Sequence, residues 1–192
     1  MMTDPLFHGV VPILITPFDQ ADRIDEDSLR RLVDYCIDAG VHGFGIAFAT
    51  EIPKLTEAER DQITQIIVEQ AAGRVPVVAN TGAPSTQATI LYSKRAQSLG
   101  VDAVMGTPPD GTPELIRQYF SALCKAVQVP VFVQEVSGIV SGDLLSDLAD
   151  DSDNLCYAKV ESAPTPKKIR DCVDKCGNRV TVLGGASGTQ LI

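Results

Sequence analysis

The sequence has no tryptophan, only two histidines and a shortage of basic residues. Its 16 Lys and Arg stand against 25 Asp and Glu, which gives a formal net charge of −9. A nucleic-acid partner requires a basic face, and this composition does not supply one. Apolar runs are short as well, and none approaches the roughly 18 residues that a membrane-spanning helix needs. We therefore expect neither a nucleic-acid nor a membrane partner.

The first residues, MMTDPLFHG, also lack the basic segment followed by an apolar stretch that marks a secretory signal. Five cysteines are an odd number, which fits reduced thiols better than a disulfide framework. Cys172 and Cys176 are four residues apart on a predicted helix, but neither histidine is near them in the sequence, so buried thiols are favoured over a metal site. These features predict a cytoplasmic protein without a metal.

The chain of 192 residues is 44% hydrophobic, which is enough to build one globular domain over residues 1–192. Short β-branched runs alternate with longer amphipathic segments. The predicted strands cover residues 10–16, 43–48, 75–80, 103–107, 131–134, 156–160 and 180–183. The predicted helices cover residues 26–39, 57–71, 86–99, 114–127, 142–149 and 166–176.

Short helix-to-strand junctions repeat along the chain, with glycine at Gly40 and Gly100 and with Val-Pro-Val around Pro76 and Pro130. Glycine suits the end of a helix, and proline is tolerated at the first residue of a strand. The repeats predict βα units with right-handed crossovers and a parallel sheet. A closed (β/α) barrel and an open doubly wound sheet both fit. The absence of G-x-G-x-x-G after the first predicted strand disfavours the open dinucleotide-binding form.

The number of units is smaller than a closed barrel requires. We count about seven strands and six helices, whereas a (β/α)8 barrel has eight of each in about 250 residues. The sequence stops inside what should be a seventh helix. We therefore expect an α/β TIM barrel that is truncated at its C-terminus.

Lys159 is the most informative candidate for chemistry, because it lies near the carboxyl end of a predicted strand, where parallel barrels gather their active sites. Alternation along the strand places Lys159 and Glu161 on the barrel side, opposite Ala158 and Val160. A desolvated lysine loses part of its preference for the charged form and becomes a nucleophile for carbonyls. Two structural alternatives remain open: the ammonium extends to solvent, or it pairs with Glu161.

Several segments occur together in register from about residue 8 onward. They are GVVPILITPF at 9–18, AGVHG at 39–43, Glu51 with LTEAER at 55–60, the proline pair at 108–109 and the lysine-bearing segment 155–161. Together they resemble the dihydrodipicolinate synthase and N-acetylneuraminate lyase family. That family consists of (β/α)8-barrel enzymes whose lysine forms a Schiff base with pyruvate or another 2-oxo acid, without a metal or cofactor. The resemblance implies that Lys159 is this lysine, that the partner is a small-molecule 2-oxo acid, and that a homo-oligomer forms, as tetramers often do in the family.

The sequence departs from the synthases of this family at the residues that relay protons. The family's G-T-T-G-E is AFATE at 47–51, and the tyrosine at the end of strand five is matched by Gln134. The second tyrosine is matched by Asp110 or Gly111, and no arginine occurs near Gly138. Dihydrodipicolinate synthesis is therefore disfavoured. The motifs Val-Gln-Glu at 133–135 and Lys-Val-Glu at 159–161 instead resemble the 2-keto-3-deoxy-sugar-acid dehydratases of the family, such as 2-keto-3-deoxyarabonate dehydratase.

This resemblance implies a set of catalytic residues. Lys159 would form the imine, Gln134 would orient the carbinolamine or a water molecule, and Glu135 or Glu161 would act as acid and base. The imine acidifies the adjacent carbon, so a modest base suffices. Because alternation turns Glu135 away from Gln134, a structural salt bridge is favoured over catalysis for Glu135.

Substrate binding would involve Ala49, the Thr50 hydroxyl and a close backbone approach at Gly185. The predicted activity is that of a lyase, an aldolase or dehydratase acting on a 2-oxo acid or 2-keto-3-deoxy sugar acid. Three alternatives remain: a non-catalytic truncated fragment of such an enzyme, a synthase-like condensation of pyruvate, and an open-sheet ligand-binding module.

Overall fold

Residues 5–185, which the computed structural model describes, contain six parallel strands that alternate with six α-helices. The helices are α1 (Glu26–Asp38), α2 (Glu57–Ala71), α3 (Thr86–Ser98), α4 (Pro113–Ala126), α5 (Gly142–Asp151) and α6 (Thr165–Cys176). The strands are β1 (Phe44–Ile46), β2 (Val77–Asn80), β3 (Ala103–Gly106), β4 (Val131–Glu135), β5 (Leu155–Val160) and β6 (Thr181–Gly184). All six predicted helices are confirmed, with ends that agree within two residues. None of the described helices has the length and apolar character needed to cross a membrane.

Local chemistry explains where the helices begin and end. Thr56 and Glu59 form a capping box at the start of α2, because the threonine hydroxyl accepts the Glu59 N–H and the glutamate carboxylate accepts the Thr56 N–H. Thr112 caps α4 through its hydroxyl alone, which accepts the Leu115 N–H. Gly40 and Gly100 follow α1 and α3 with φ angles of 85° and 92°, which a residue with a side chain rarely adopts.

The first of two compact units comprises the described residues up to Asn80 together with Arg95–Ala103. In it β1 pairs in parallel with β2, and Phe44 and Ile46 lie opposite Val77 and Ala79. All seven residues of these two strands are buried, and all but Asn80 are apolar or glycine.

The prediction of seven strands is wrong for the described residues, because segment 10–16 does not form a strand. Only an isolated bridge joins Ile13 to Gly45. The segment runs beside β1, where the Gly45 N–H donates to Pro12 O at 2.9 Å and the Leu14 N–H donates to Gly45 O at 3.1 Å. Pro12 has no N–H to donate, so a continuous hydrogen-bond ladder cannot form through it.

The second unit comprises Thr81–Lys94 and the described residues from Val104 onward. Its strands pair in parallel in the order β3, β4, β5, β6. Helix α4 packs so closely on β3 that a Cβ on Gly106 would lie 2.9 Å from both Phe120 and Leu123. Because β4, β5 and β6 pair in parallel, their carboxyl ends lie at one edge of this unit, where most of the predicted site residues lie.

Candidate active site

The register of β4 and β5 brings Gln134 and Lys159 side by side, since these two residues are direct partners across the strand pair. Two residues earlier, Phe132 and Tyr157 are also partners, and their rings stack with centroids 4.5 Å apart. Side chains two residues apart share a face of a sheet. Gln134 and Lys159 therefore extend on the same face as the stacked rings, at the carboxyl end of the strands.

A single carboxylate oxygen joins this pair to Glu161. The Lys159 ammonium Nζ lies 2.8 Å from Glu161 Oε2, and Gln134 Nε2 donates a hydrogen bond to the same oxygen at 2.8 Å. Gln134 is fully buried, while the side chains of Lys159 and Glu161 are 15% and 23% exposed. The cluster thus combines a primary amine, a carboxylate and an amide in a site that is largely, but not wholly, shielded from water.

Glu161 follows directly after β5, and the structure holds it on two sides. Its backbone N–H donates to Glu135 O at 2.8 Å, which continues the pairing with β4. Its side chain also lies against Gly185, so closely that a Cβ on Gly185 would overlap the glutamate chain. Gly185 therefore reaches the predicted site, and its contact there is with Glu161.

Glu135 makes its contacts elsewhere. Its carboxylate, only 2% exposed, accepts hydrogen bonds from the Ser162 hydroxyl and from the Gly138 N–H, and Lys168 Nζ lies 3.7 Å away. Lys168 also donates to Gly138 O at 2.8 Å. These contacts tie the loop after β4 to β5 and α6. Such contacts fit the structural role that alternation favours for Glu135. None of the contacts just described involves Lys159, and the acid–base role of Glu135 stays a prediction.

Ala49 and Thr50 belong to the first unit, in the 3-10 turn Phe48–Thr50 after β1. The Thr50 side chain is fully buried; its hydroxyl donates to Leu14 O at 2.6 Å and accepts from the Ala47 N–H at 3.0 Å. The hydroxyl proton is therefore engaged within the fold. Binding of a substrate carboxylate by this hydroxyl, which stays a prediction, would require that bond to be exchanged.

Sequence reasoning missed the anchoring role of Ser162 and Lys168. Both contact Glu135 across about 30 positions of sequence, and no local pattern encodes such a contact. The Ser-Gly dipeptide at 137–138 was the one available signal, because it marks a turn and Gly138 has a φ of 84°.

The described residues contain no group of three or more His, Cys, Asp and Glu side chains suited to hold a metal ion. Cys172 and Cys176 are buried on α6, and burial raises the pKa of the Cys172 thiol to about 11. A thiol with such a pKa stays protonated near neutral pH, whereas metals bind the thiolate. The Lys159 cluster itself offers a primary amine and a carboxylate.

Comparison with known proteins extends the likeness beyond the motifs. Halobacterium salinarum has an uncharacterized DapA-like lyase that is 36% identical over 85% of this chain. The L-2-keto-3-deoxyarabonate dehydratase of Azospirillum brasilense is 34% identical over 92% of the chain, and the 4-hydroxy-tetrahydrodipicolinate synthase of Alkalilimnicola ehrlichii is 32% identical over 95%. The chain spans only 56% to 65% of the length of these relatives.

Solved structures agree with the sequence comparison. A prophage protein of the dihydrodipicolinic acid synthase family from E. coli K12, solved in complex with pyruvate, superimposes with a TM-score of 0.89 at 26% identity. The superposition covers 94% of this chain and 64% of that one. The model of the dihydrodipicolinate synthetase family matches residues 6–191. Since that match covers nearly the whole chain, the protein belongs to the dihydrodipicolinate synthetase family.

Proposed function

We propose that this protein is a lyase that forms a Schiff base between Lys159 and a 2-oxo acid, and that it dehydrates a 2-keto-3-deoxy sugar acid. The observation that carries the proposal is the cluster in which Glu161 Oε2 lies 2.8 Å from both the Lys159 amine and the Gln134 amide. Family membership and the dehydratase relative support the choice of reaction.

The first step needs an amine without its extra proton. In the resting protein Lys159 forms an ion pair with Glu161, whose carboxylate lies within hydrogen-bond reach of the amine. The ammonium passes a proton to Glu161, and the free amine attacks the C2 carbonyl of the substrate to give a carbinolamine. The carbinolamine then takes up a proton at its hydroxyl and loses water, which leaves a protonated imine. Gln134, whose amide lies beside both groups, orients the departing water or the carbinolamine hydroxyl.

Dehydration follows from the electron demand of the imine. A base removes a proton from C3, because the electron pair left behind flows to the protonated nitrogen and forms an enamine. The enamine then expels the hydroxyl of C4, which leaves as water when an acid supplies a proton. Glu161 serves as base and then as acid, since its carboxylate adjoins the lysine nitrogen. Water finally hydrolyses the unsaturated imine and restores the free amine, so the net change is the loss of one water molecule.

A synthase-like condensation of pyruvate is the second candidate, favoured by the 32% identity to a 4-hydroxy-tetrahydrodipicolinate synthase. The neighbourhood of Lys159 argues for dehydration instead. At the position of Gln134 the synthases of the family carry a tyrosine that relays protons, and here the Gln134 amide donates an N–H to Glu161. An amide is not a proton relay, whereas the carboxylate of Glu161 is a competent acid and base.

Turnover assays test the proposal. The purified chain is incubated with a 2-keto-3-deoxy pentonate, and the products are followed by NMR. Dehydration keeps the carbon skeleton intact, whereas aldol cleavage releases pyruvate and an aldehyde. We expect dehydration in the wild type, its loss in K159A, and a decrease of about 10²- to 10⁴-fold in E161Q.

The exposed residue Lys125 supplies the matched control, because K125A removes a lysine without touching the cluster. Turnover in K159A equal to that in K125A would contradict the Schiff-base mechanism. Release of pyruvate and an aldehyde would retain the lysine chemistry but replace dehydration by cleavage, and a wild type that is folded but inactive would leave the protein as a non-catalytic member of its family.

A further inference from the structure

Gly185 occupies a position where a side chain would have to displace a neighbouring group. A Cβ built on its backbone would overlap the Cγ of Glu161 and would lie 2.7 Å from Cδ and 2.8 Å from Oε1. Real Cβ atoms do not make such contacts with their neighbours. Glu161 thus contacts the backbone of Gly185 as well as Lys159 and Gln134.

The backbone of Gly185 is not free to withdraw. Its N–H donates to Val160 O at 2.9 Å, and this bond extends the parallel pairing in which Gly184 lies opposite Val160 and Leu183 lies opposite Lys159. A side chain at 185 could therefore be accommodated only by breaking that bond or by moving Glu161. Of the two, rotation of a partly exposed side chain requires less rearrangement than loss of a strand contact.

We propose that Gly185 is a positioning residue. Because it has no side chain, Glu161 has the space to place its carboxylate against Lys159 and Gln134. The catalytic consequence rests on the function proposed above, while the structural consequence does not. Gly185 thus acts through Glu161, the proposed acid and base, and not through a direct backbone contact with the substrate.

Four variants test the role: G185A, E161A, the double variant, and G184A as the matched control. Gly184 precedes Gly185, and among residues 5–185 the atom that a Cβ there would meet is the flexible end of Ile169, 3.1 Å away. We expect G184A to behave like the wild type. In G185A we expect kcat to fall by about 100-fold with KM changed less, because the acid and base is misplaced while the lysine remains.

The double variant separates positioning from general damage. If Gly185 acts only through Glu161, adding G185A to E161A changes kcat less than about twofold, since the group that would be displaced is already gone. Independent losses that multiply in the double variant would overturn the proposal. The same comparison covers the case in which G185A alone fails to fold, because E161A vacates the space: recovery of a cooperative melt in the double variant supports the clash, and an equal failure contradicts it.

A second measurement does not depend on turnover. Acylation of Lys159 by acetic anhydride, mapped by mass spectrometry of peptides, reports whether the ammonium is still paired. We expect labelling to rise about fivefold in both E161A and G185A, which corresponds to about 1 kcal/mol for a partly screened ion pair, and to stay unchanged in G184A. If the wild type proves inactive, the proposed function fails and this labelling still decides the role of Gly185; wild-type labelling in G185A overturns it.

Discussion

Replacing Thr50 by valine distinguishes a structural hydroxyl from one that binds substrate. Valine keeps the shape of threonine but removes the hydroxyl, so the change deletes hydrogen bonds without opening a cavity. Thr50 is fully buried, and its hydroxyl is bonded to two backbone groups, Leu14 O at 2.6 Å and the Ala47 N–H at 3.0 Å. In T50V both groups lose this partner inside the protein.

The expected cost follows from those two bonds. A buried donor or acceptor that is left unsatisfied costs about 1–3 kcal/mol, so the loss of both partners in T50V should lower the free energy of unfolding by about 2–6 kcal/mol. T64V is the matched control. Thr64 is also buried, but its hydroxyl donates to Arg60 O, which is also the regular helical acceptor for the Thr64 N–H within α2. Loss of this redundant bond should cost less than about 1 kcal/mol.

Urea denaturation followed by circular dichroism measures both variants against the wild type. A free energy of unfolding of T50V within about 0.5 kcal/mol of the wild-type value would refute the reasoning. Such a result would mean that the Thr50 hydroxyl contributes little to stability. The predicted contact between this hydroxyl and a substrate carboxylate would then be favoured. A large loss of stability in T50V, with T64V nearly unchanged, assigns the hydroxyl to the fold.

Three further predictions concern the second unit. E135A should lower the free energy of unfolding by about 3 kcal/mol, and S162A by about 1 kcal/mol, because the first change strands the buried partners of the carboxylate; a folded, fully stable but inactive E135Q would instead favour the acid–base role. Burial raises the pKa values of Cys124 and Cys172 from 9.0 to about 11, so the unfolded chain releases these protons first and stability should fall as the pH rises from about 9 to 11. Urea denaturation at about pH 8 and pH 10 measures this change in the free energy of unfolding. The same change with pH in C124A and C172A as in the wild type would contradict the prediction. Y119F removes a buried hydrogen bond of 3.2 Å to Thr89 and should cost about 1 kcal/mol in a thermal melt; a cost near zero would show that the bond contributes nothing.

The helices could be predicted from the sequence because each carries its own signals. Apolar residues that recur every three or four positions indicate their extent, and the caps at Thr56 and Thr112 mark where α2 and α4 begin. Segment 10–16 has an equally apolar sequence, yet it forms no strand, because strand formation depends on a continuous partner and Pro12 interrupts the ladder. The apolar pattern of a sequence indicates which side chains are buried, but it does not indicate which backbone groups are hydrogen-bonded.

The candidate site could be predicted only in part. The roles that the resemblance implies for Gln134 and Lys159 require the two side chains to be close, and they are direct partners at the carboxyl ends of neighbouring parallel strands. The ion pair between Lys159 and Glu161, which remained one of two structural alternatives, is present. The contacts of Glu135 with Ser162 and Lys168 depend on the packing of α6 and could not be deduced from local sequence.

Borohydride reduction in the presence of pyruvate tests the central claim most directly, because it converts an imine into a stable secondary amine at the lysine that formed it. The reduced chain is digested, and the modified peptide is identified by mass spectrometry. We predict one adduct per chain, on Lys159, and none in K159A. An unmodified chain, or adducts spread over exposed lysines such as Lys125 while Lys159 remains free, would contradict the assignment of Lys159 as the Schiff-base residue.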